Sequence, residues 1–84
     1  MAKVYMYTTR FCPYCIRARM LLDDKGVEYK DIAVDNNAPL RAEMTRKSGR
    51  HTVPQVFIDD KPIGGYQELS QLDRIGALDD MLDG

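Results

Sequence analysis

The sequence predicts an α/β domain, and three features of the chain lead to that fold class. Within residues 3–48, two strand-like runs are each followed by a helix-like run, which favours a right-handed crossover and parallel pairing of the two strands. Two short strand-like runs on either side of Asp59-Asp60 predict a β-hairpin. Leucine and isoleucine then recur at three- or four-residue steps from Leu69 to Leu82, which predicts an amphipathic final helix.

In the first half, an apolar, β-prone run from Lys3 to Tyr7 predicts the first strand, and Thr8-Thr9-Arg10 is a polar break. The first helix begins at Pro13, because the first helical position needs no N–H, and it ends just before Gly26. Alternation from Val27 to Val34, with a change of phase in the middle, predicts the second strand.

The second helix follows a turn at Asp35-Asn36-Asn37, which can also supply its N-terminal cap, and runs from Ala38 to Lys47 or Ser48. Gln55 to Ile58 is the third strand and Lys61-Pro62-Ile63 the fourth. Proline cannot donate to a ladder, so the fourth strand should lie at the sheet edge. Gly76 weakens the last helix and could divide it.

The composition is that of one globular domain, residues 1–84. The chain is 44% hydrophobic and 30% charged, which argues against disorder. No apolar run approaches the ~20 residues of a membrane span. Met1-Ala2-Lys3 leads into a run too short for a signal-peptide core. We therefore expect a cytoplasmic protein without a membrane partner, monomeric by default.

The net charge of −1 is unevenly distributed. Residues 1–50 hold ten Lys/Arg and six Asp/Glu, whereas residues 51–84 hold two and seven. A basic half suits a small anionic substrate better than a nucleic acid, and we expect no nucleic-acid partner. A plain solvated surface is the alternative explanation.

The two cysteines, Cys12 and Cys15, stand where the first strand runs into the first helix. At a helix N-terminus, unpaired backbone N–H groups and the helix dipole favour a thiolate over a thiol. Cys15 lies one turn deeper on the same face, within disulfide reach of Cys12 but more buried and more protonated. The spacing therefore predicts a thioredoxin-like redox site in which Cys12 is the nucleophile and Cys15 the resolving thiol.

Three other interpretations of the cysteine pair compete. A structural disulfide is disfavoured because so short a loop restricts the unfolded chain little. A zinc site needs about four ligands, and only His51 and scattered carboxylates remain to complete it. Two unreactive buried thiols are the third alternative, although core packing would not favour Pro-Tyr between them.

Three spaced motifs carry a family resemblance over essentially the whole chain: Cys12-Pro13-Tyr14-Cys15, Thr52-Val53-Pro54, and Gly64-Gly65 before a helix. In this order and spacing, the chain resembles the dithiol glutaredoxins of the small bacterial type. The resemblance implies the thioredoxin-like fold, βαβαββα, with a four-stranded mixed sheet in the order 2-1-3-4 flanked by helices. It also implies glutathione as co-substrate, with no metal.

The resemblance further implies a glutathione site around Cys12. Tyr14 would flank the glutathione, Thr52 and Pro54 would contact it, and Val53 would pair its backbone with the cysteinyl unit as an added strand does. Pro54 would follow a cis peptide bond. The γ-glutamyl end would be held by Gly65, Tyr66, Gln67 and Glu68.

Two segments depart from the family pattern. Many members carry a lysine two or three residues before the first cysteine, where this chain has Thr9 and Arg10, and Arg10 is expected to supply the positive charge. Gln67-Glu68 stands in place of the usual acidic pair. Arg46, Lys47 and Arg50 could attract glutathione carboxylates, although basic residues at a helix C-terminus also have a structural explanation.

The implied activity is that of a glutathione-dependent thiol-disulfide oxidoreductase. It would reduce protein-glutathione mixed disulfides with Cys12 alone and protein disulfides with Cys12 and Cys15, with glutathione reductase as an indirect partner. Ribonucleotide reductase is one candidate substrate.

Rival functions are an electron donor reduced by thioredoxin reductase, a carrier of a glutathione-ligated iron-sulfur cluster, and a structural interaction module. Pro13 and the second thiol argue against the cluster carrier, because disulfide formation competes with cluster ligation.

Overall fold

The computed structural model describes residues 2–83. Within that range the chain forms four strands and four helices: β1 (Val4–Thr8), α1 (Pro13–Asp24), β2 (Lys30–Ala33), α2 (Ala38–Ser48), β3 (Gln55–Ile58), β4 (Lys61–Gly64), α3 (Tyr66–Arg74) and α4 (Ala77–Asp83). Residues 1 and 84, the ends of the predicted domain, lie outside the described residues. No helix in the described part of the chain combines the length and apolarity needed to cross a membrane.

The strands form one mixed sheet in the order β2-β1-β3-β4, as the resemblance implied. β1 pairs in parallel with β2, with Tyr7 opposite Ile32, and antiparallel with β3, with Met6 opposite Val56. β3 and β4 form the predicted hairpin around Asp59-Asp60, whose φ angles of 51° and 65° suit a tight turn. Pro62 therefore lies on an edge strand, as predicted.

Alternating side chains of β1 and β3 build a core on each face of the sheet. On one face, Met6 and Val56 pack with the buried residues of α1, α3 and α4, including Leu22, Leu69 and Leu78. On the other face, Tyr7, Val34, Met44 and Phe57 form a second cluster, to which α2 contributes Met44. The two central strands, β1 and β3, are thus packed against buried side chains on both faces of the sheet.

Local capping sets the ends of α2. The Oδ1 atom of Asn37 accepts the backbone N–H of Leu40 at 3.1 Å, and Gly49 ends the helix with a φ of 75°. Both signals are visible in the sequence, and the predicted limits of α2 are confirmed.

Several predicted boundaries differ from the structure. β2 begins at Lys30 rather than at Val27, because the N–H of Val27 is used in closing the end of α1 by donating to Leu22 O at 3.2 Å. Thr8 belongs to β1 rather than to the following break. Gly64 extends β4 by one residue beyond the predicted end. The final helix is divided at Gly76, which has a φ of 82° between α3 and α4.

Candidate active site

Cys12 is the N-terminal cap of α1. Its backbone is extended, with φ −124° and ψ 108°, and its Sγ accepts the backbone N–H of Cys15 at 3.2 Å. Pro13 occupies the first turn, where the missing N–H leaves no gap in the helix. The sulfur therefore lies against the positive end of the helix dipole, where negative charge is stabilised.

Cys15 differs from Cys12 in its surroundings. Its side chain is completely buried, whereas Cys12 is 8% exposed. Burial, and next the hydrogen bond with Cys12, raise the pKa of the Cys15 thiol to about 12. Both cysteines are free thiols in this structure. The pair is thus asymmetric: the Cys12 sulfur accepts a helix N–H in a residue that keeps slight exposure, whereas Cys15 is a completely buried neutral thiol.

The segment before β3 lies directly beside the nucleophile. The Cys12 thiol donates to the carbonyl oxygen of Val53 at 3.8 Å, and the Val53-Pro54 peptide bond is cis, as the resemblance implied. Thr52 is held by the Gln55 side chain, whose Nε2 donates to the Thr52 carbonyl at 2.9 Å. Val53 is only half-buried, so its backbone borders open space next to the sulfur.

That open space is a depression of about 300 Å³. Its walls come from the start of α1, the segment before β3 and the first turn of α3, and they consist of Tyr14, Arg50, Thr52, Val53, Pro54, Gly65, Tyr66, Gln67 and Glu68. The structure therefore brings together all the predicted glutathione contacts except Arg10.

Two tyrosines form the aromatic side of the depression. The rings of Tyr14 and Tyr66 lie 6.4 Å apart at an interplanar angle of 34°, and Tyr14 is 50% exposed. The Arg17 guanidinium lies 5.6 Å from the centroid of the Tyr14 ring. This wall joins the N-terminal end of α1 to α3.

Arg10 and Arg50 occupy different places. Arg10 is exposed, its backbone N–H donates to the Asp35 carboxylate at 2.9 and 3.0 Å, and it is not among the residues that line the depression. Arg50, which follows α2, lies in the wall, and its Nη1 donates to Glu68 Oε1 at 2.7 Å. The sequence predicts Arg50 only as one of three basic residues near the end of α2 that could attract glutathione carboxylates. Its position two residues before Thr52-Val53-Pro54 was the available signal.

Glu68 is held on two sides. Its Oε1 accepts both Arg50 Nη1 and the backbone N–H of Gly65, each at 2.7 Å. These contacts, with Arg50 the larger, keep the pKa of Glu68 below its ordinary value. The carboxylate thus covers one N–H at the start of α3 and leaves the following turn facing the depression.

No group of three or more His, Cys, Asp or Glu side chains in residues 2–83 is arranged to hold a metal ion. His51 is exposed, and its Nδ1 lies 3.5 Å from Thr45 Oγ1.

The fold and the thiol pair define a class: a thioredoxin-like protein with a two-cysteine redox site at the start of a helix. The family model described as Glutaredoxin matches residues 4–63. The chain is 50% identical over 82 residues to a glutaredoxin of Pseudomonas aeruginosa, covering 98% of each chain. It is 51% identical over 82 residues to glutaredoxin 3 of Escherichia coli (strain K12), covering 98% of this chain and 99% of that protein.

Solved structures give the same result. A buckwheat glutaredoxin-glutathione complex superposes with a TM-score of 0.89 at 32% identity, over 98% of this chain and 77% of that one. A glutaredoxin of Brucella melitensis superposes with a TM-score of 0.86 at 45% identity, over 98% of this chain and 89% of that one. The chain belongs to the glutaredoxin family, and this membership implies a glutathione-dependent thiol redox function.

Proposed function

We propose that this glutaredoxin reduces protein-glutathione mixed disulfides through Cys12 alone and protein disulfides through Cys12 together with Cys15. The observation that carries the proposal is the asymmetry of the two thiols. Cys12 keeps 8% exposure and its sulfur accepts a helix N–H at 3.2 Å, whereas Cys15 is fully buried. One thiol is therefore suited to attack a substrate and the other to attack only its neighbour.

In the monothiol reaction, the Cys12 thiolate attacks the glutathionyl sulfur of a mixed disulfide. A bond forms between Cys12 and glutathione, the original S–S bond breaks, and the protein thiolate leaves and takes up a proton. A second glutathione thiolate then attacks the glutathionyl sulfur, releasing Cys12 and forming glutathione disulfide. The helix N-terminus stabilises the Cys12 thiolate both as attacking and as leaving group.

In the dithiol reaction, Cys12 forms a mixed disulfide with the substrate protein. Cys15 then attacks Cys12 Sγ, the substrate leaves as a thiol, and a Cys12–Cys15 disulfide remains. Two glutathione molecules reduce that disulfide. The spacing of the cysteines on α1 and the N–H contact from Cys15 to Cys12 Sγ keep the resolving residue beside its target.

The depression offers groups that match the chemistry of glutathione. The backbone of the half-buried Val53, beside the Cys12 sulfur, is suited to pair with the cysteinyl unit, as an added strand does. Glu68 can face the γ-glutamyl ammonium, while Arg50 and the first turn of α3 can face the carboxylate. Tyr14 and Tyr66 would flank the peptide. Arg10, outside the depression, would contribute only longer-range attraction.

The protein partners in this proposal are glutathionylated and disulfide-containing proteins, with glutathione reductase keeping the glutathione pool reduced. Such chemistry belongs to a reducing compartment, and so we propose a cytoplasmic location.

The test is reduction of a small glutathione mixed disulfide, coupled to glutathione reductase, for the wild type, Cys12→Ser and Cys15→Ser. We expect activity to vanish with Cys12→Ser and to persist with Cys15→Ser, while reduction of a protein disulfide is lost in both. Activity retained by Cys12→Ser would contradict the assigned roles. Turnover by thioredoxin reductase without acceleration by glutathione would favour the electron-donor alternative.

A further inference from the structure

A closed triangle of polar side chains ties α1 to β1 and β2 on the sheet side of the cysteine pair. Arg19 Nε donates to Asp31 Oδ2 at 2.6 Å, and Arg19 Nη2 donates to Thr8 Oγ1 at 3.0 Å. The Thr8 hydroxyl in turn donates to Asp31 Oδ1 at 2.6 Å. Each residue contacts both others, so two hydrogen bonds, one from Nε and one from Nη2, fix the orientation of the Arg19 guanidinium.

The triangle lies next to Cys15. Arg19 follows Cys15 by four residues in α1, so the two side chains are neighbours on one helix face. Thr8 is 1% exposed and directly precedes Thr9, whose backbone N–H also acts on the Cys15 sulfur. The guanidinium is partly shielded, with 27% of the side chain exposed, so its field is screened less than that of a free surface arginine.

The role proposed for Cys15 conflicts with its surroundings. To resolve a mixed disulfide, Cys15 must lose its proton, yet its burial favours the protonated thiol. The groups that act in the opposite direction are the Thr9 N–H and the Arg19 guanidinium. Asp31 faces Arg19 from β2 and partly offsets its charge.

We propose that Arg19, oriented by Thr8 and Asp31, is a positioning residue that stabilises the Cys15 thiolate during resolution of the mixed disulfide at Cys12. The inference deepens the proposed function and rests on its dithiol reaction. In that step, the Cys15 proton passes to solvent and the Cys15–Cys12 bond forms. The bond between Cys12 and the substrate sulfur breaks, and the leaving thiolate takes up a proton. No external oxidant is needed.

The step can be isolated by mixing the reduced protein with excess Ellman's reagent and following release of coloured thionitrobenzoate. Attack by Cys12 releases one equivalent in a phase that depends on reagent concentration. Attack by Cys15 on the resulting mixed disulfide releases the second in a first-order phase. If the wild type lacks the first phase, the proposed function fails. If that phase is present, the second phase tests the role of Arg19 separately.

We expect Arg19→Gln to slow the second phase ~3- to 10-fold near neutral pH, because the fraction of Cys15 present as thiolate falls by the same factor. The pH profile of the second-phase rate in this variant should move to higher pH. Asp31→Asn removes a negative charge while Thr8 still holds the guanidinium, so it should accelerate the second phase and move the profile to lower pH. Arg19→Lys, which keeps the charge, should recover most of the wild-type rate.

The opposite changes expected in the second-phase rate of Arg19→Gln and Asp31→Asn distinguish this proposal from a purely structural role. Arg19→Gln and Asp31→Asn both break the same ion pair, so a structural cross-link predicts that both change the second phase in the same direction or leave it unchanged. Either result would overturn the proposal. Asp31→Asn still distinguishes the two roles if Arg19→Gln fails to fold. The matched control is Arg41→Gln, which removes an exposed arginine of α2 and should leave the second phase unchanged.

A second readout does not depend on turnover. In a Cys12→Ser background, the ¹³Cβ chemical shift of Cys15 reports its ionisation directly. We expect the pH midpoint of the Cys15 titration to rise with Arg19→Gln and to fall with Asp31→Asn. Unmoved midpoints in both variants would refute the electrostatic role.

Discussion

Replacing Glu68 tests how the wall of the depression is held together. In the structure, one carboxylate oxygen of Glu68 accepts both the Gly65 N–H and Arg50 Nη1 at 2.7 Å. Glu68→Ala removes both contacts. Glu68→Gln keeps an oxygen acceptor but removes the charge. The two variants therefore separate the hydrogen bond at the start of α3 from the ion pair.

The expected magnitude follows from the exposure of the groups. A side-chain cap on a helix N–H contributes about 0.5–2 kcal/mol. The ion pair adds little, because the Arg50 and Glu68 side chains are 50% and 39% exposed and solvent-exposed pairs contribute about 0.2–1 kcal/mol. We expect Glu68→Ala to lower the free energy of unfolding by ~1–2 kcal/mol and Glu68→Gln by roughly half of that. In a domain of this size, 1 kcal/mol corresponds to a fall in Tm of about 4–8 °C.

The effect should depend on pH. The pKa of Glu68 is lowered from its ordinary value of 4.5, chiefly by Arg50 and then by the Gly65 N–H. A carboxyl group with a depressed folded-state pKa contributes stability that is full above the unfolded value and is lost as the pH falls through the folded value. The stability difference between the wild type and Glu68→Gln should therefore be largest near neutral pH and shrink below 4.5.

The assay is urea unfolding, monitored by circular dichroism, at about pH 7 and about pH 3. Glu28→Gln, which changes an exposed glutamate after α1, controls for the loss of one negative charge. A Glu68→Gln deficit of equal size at both pH values would refute the ionic part of the reasoning. A Glu68→Ala variant as stable as the wild type would refute both parts.

Three further changes test the surrounding structure. Gly64→Ala should destabilise the fold by ~1–3 kcal/mol in urea unfolding, because φ is +114° and the new Cβ would lie 2.6 Å from Glu68 Oε1. Tyr7→Phe should raise the pKa of Glu43, measured by NMR titration, because the Tyr7 hydroxyl donates to Glu43 Oε2 at 2.6 Å and is the main cause of its lowered value. Leu78→Ala, at a fully buried position of α4, should cost ~2–5 kcal/mol in urea unfolding; unchanged stability would mean that α4 packs only loosely.

Much of the fold was predictable because the signals are local. Glycine at helix ends, Asn37 before α2, proline in the first turn of two helices and the Asp59-Asp60 turn each act over a few residues. These signals placed most elements to within a residue or two. The start of β2 was missed although its cause is also local: the Val27 N–H closes α1 by donating to Leu22 O, five positions back, and β2 starts later than alternation alone predicts.

The candidate site divides in the same way. The sequence by itself determined that Cys12 begins a helix and that Cys15 lies one turn deeper, because spacing and Pro13 suffice for both. Only the tertiary structure showed that Arg50 rather than Arg10 enters the wall, and that Glu68 contacts it across 18 positions of the chain. It also placed Arg19 against Asp31 beside the resolving thiol. Helix capping depends on neighbouring residues, whereas pairing between distant side chains depends on how the helices pack on the sheet, which no local pattern specifies.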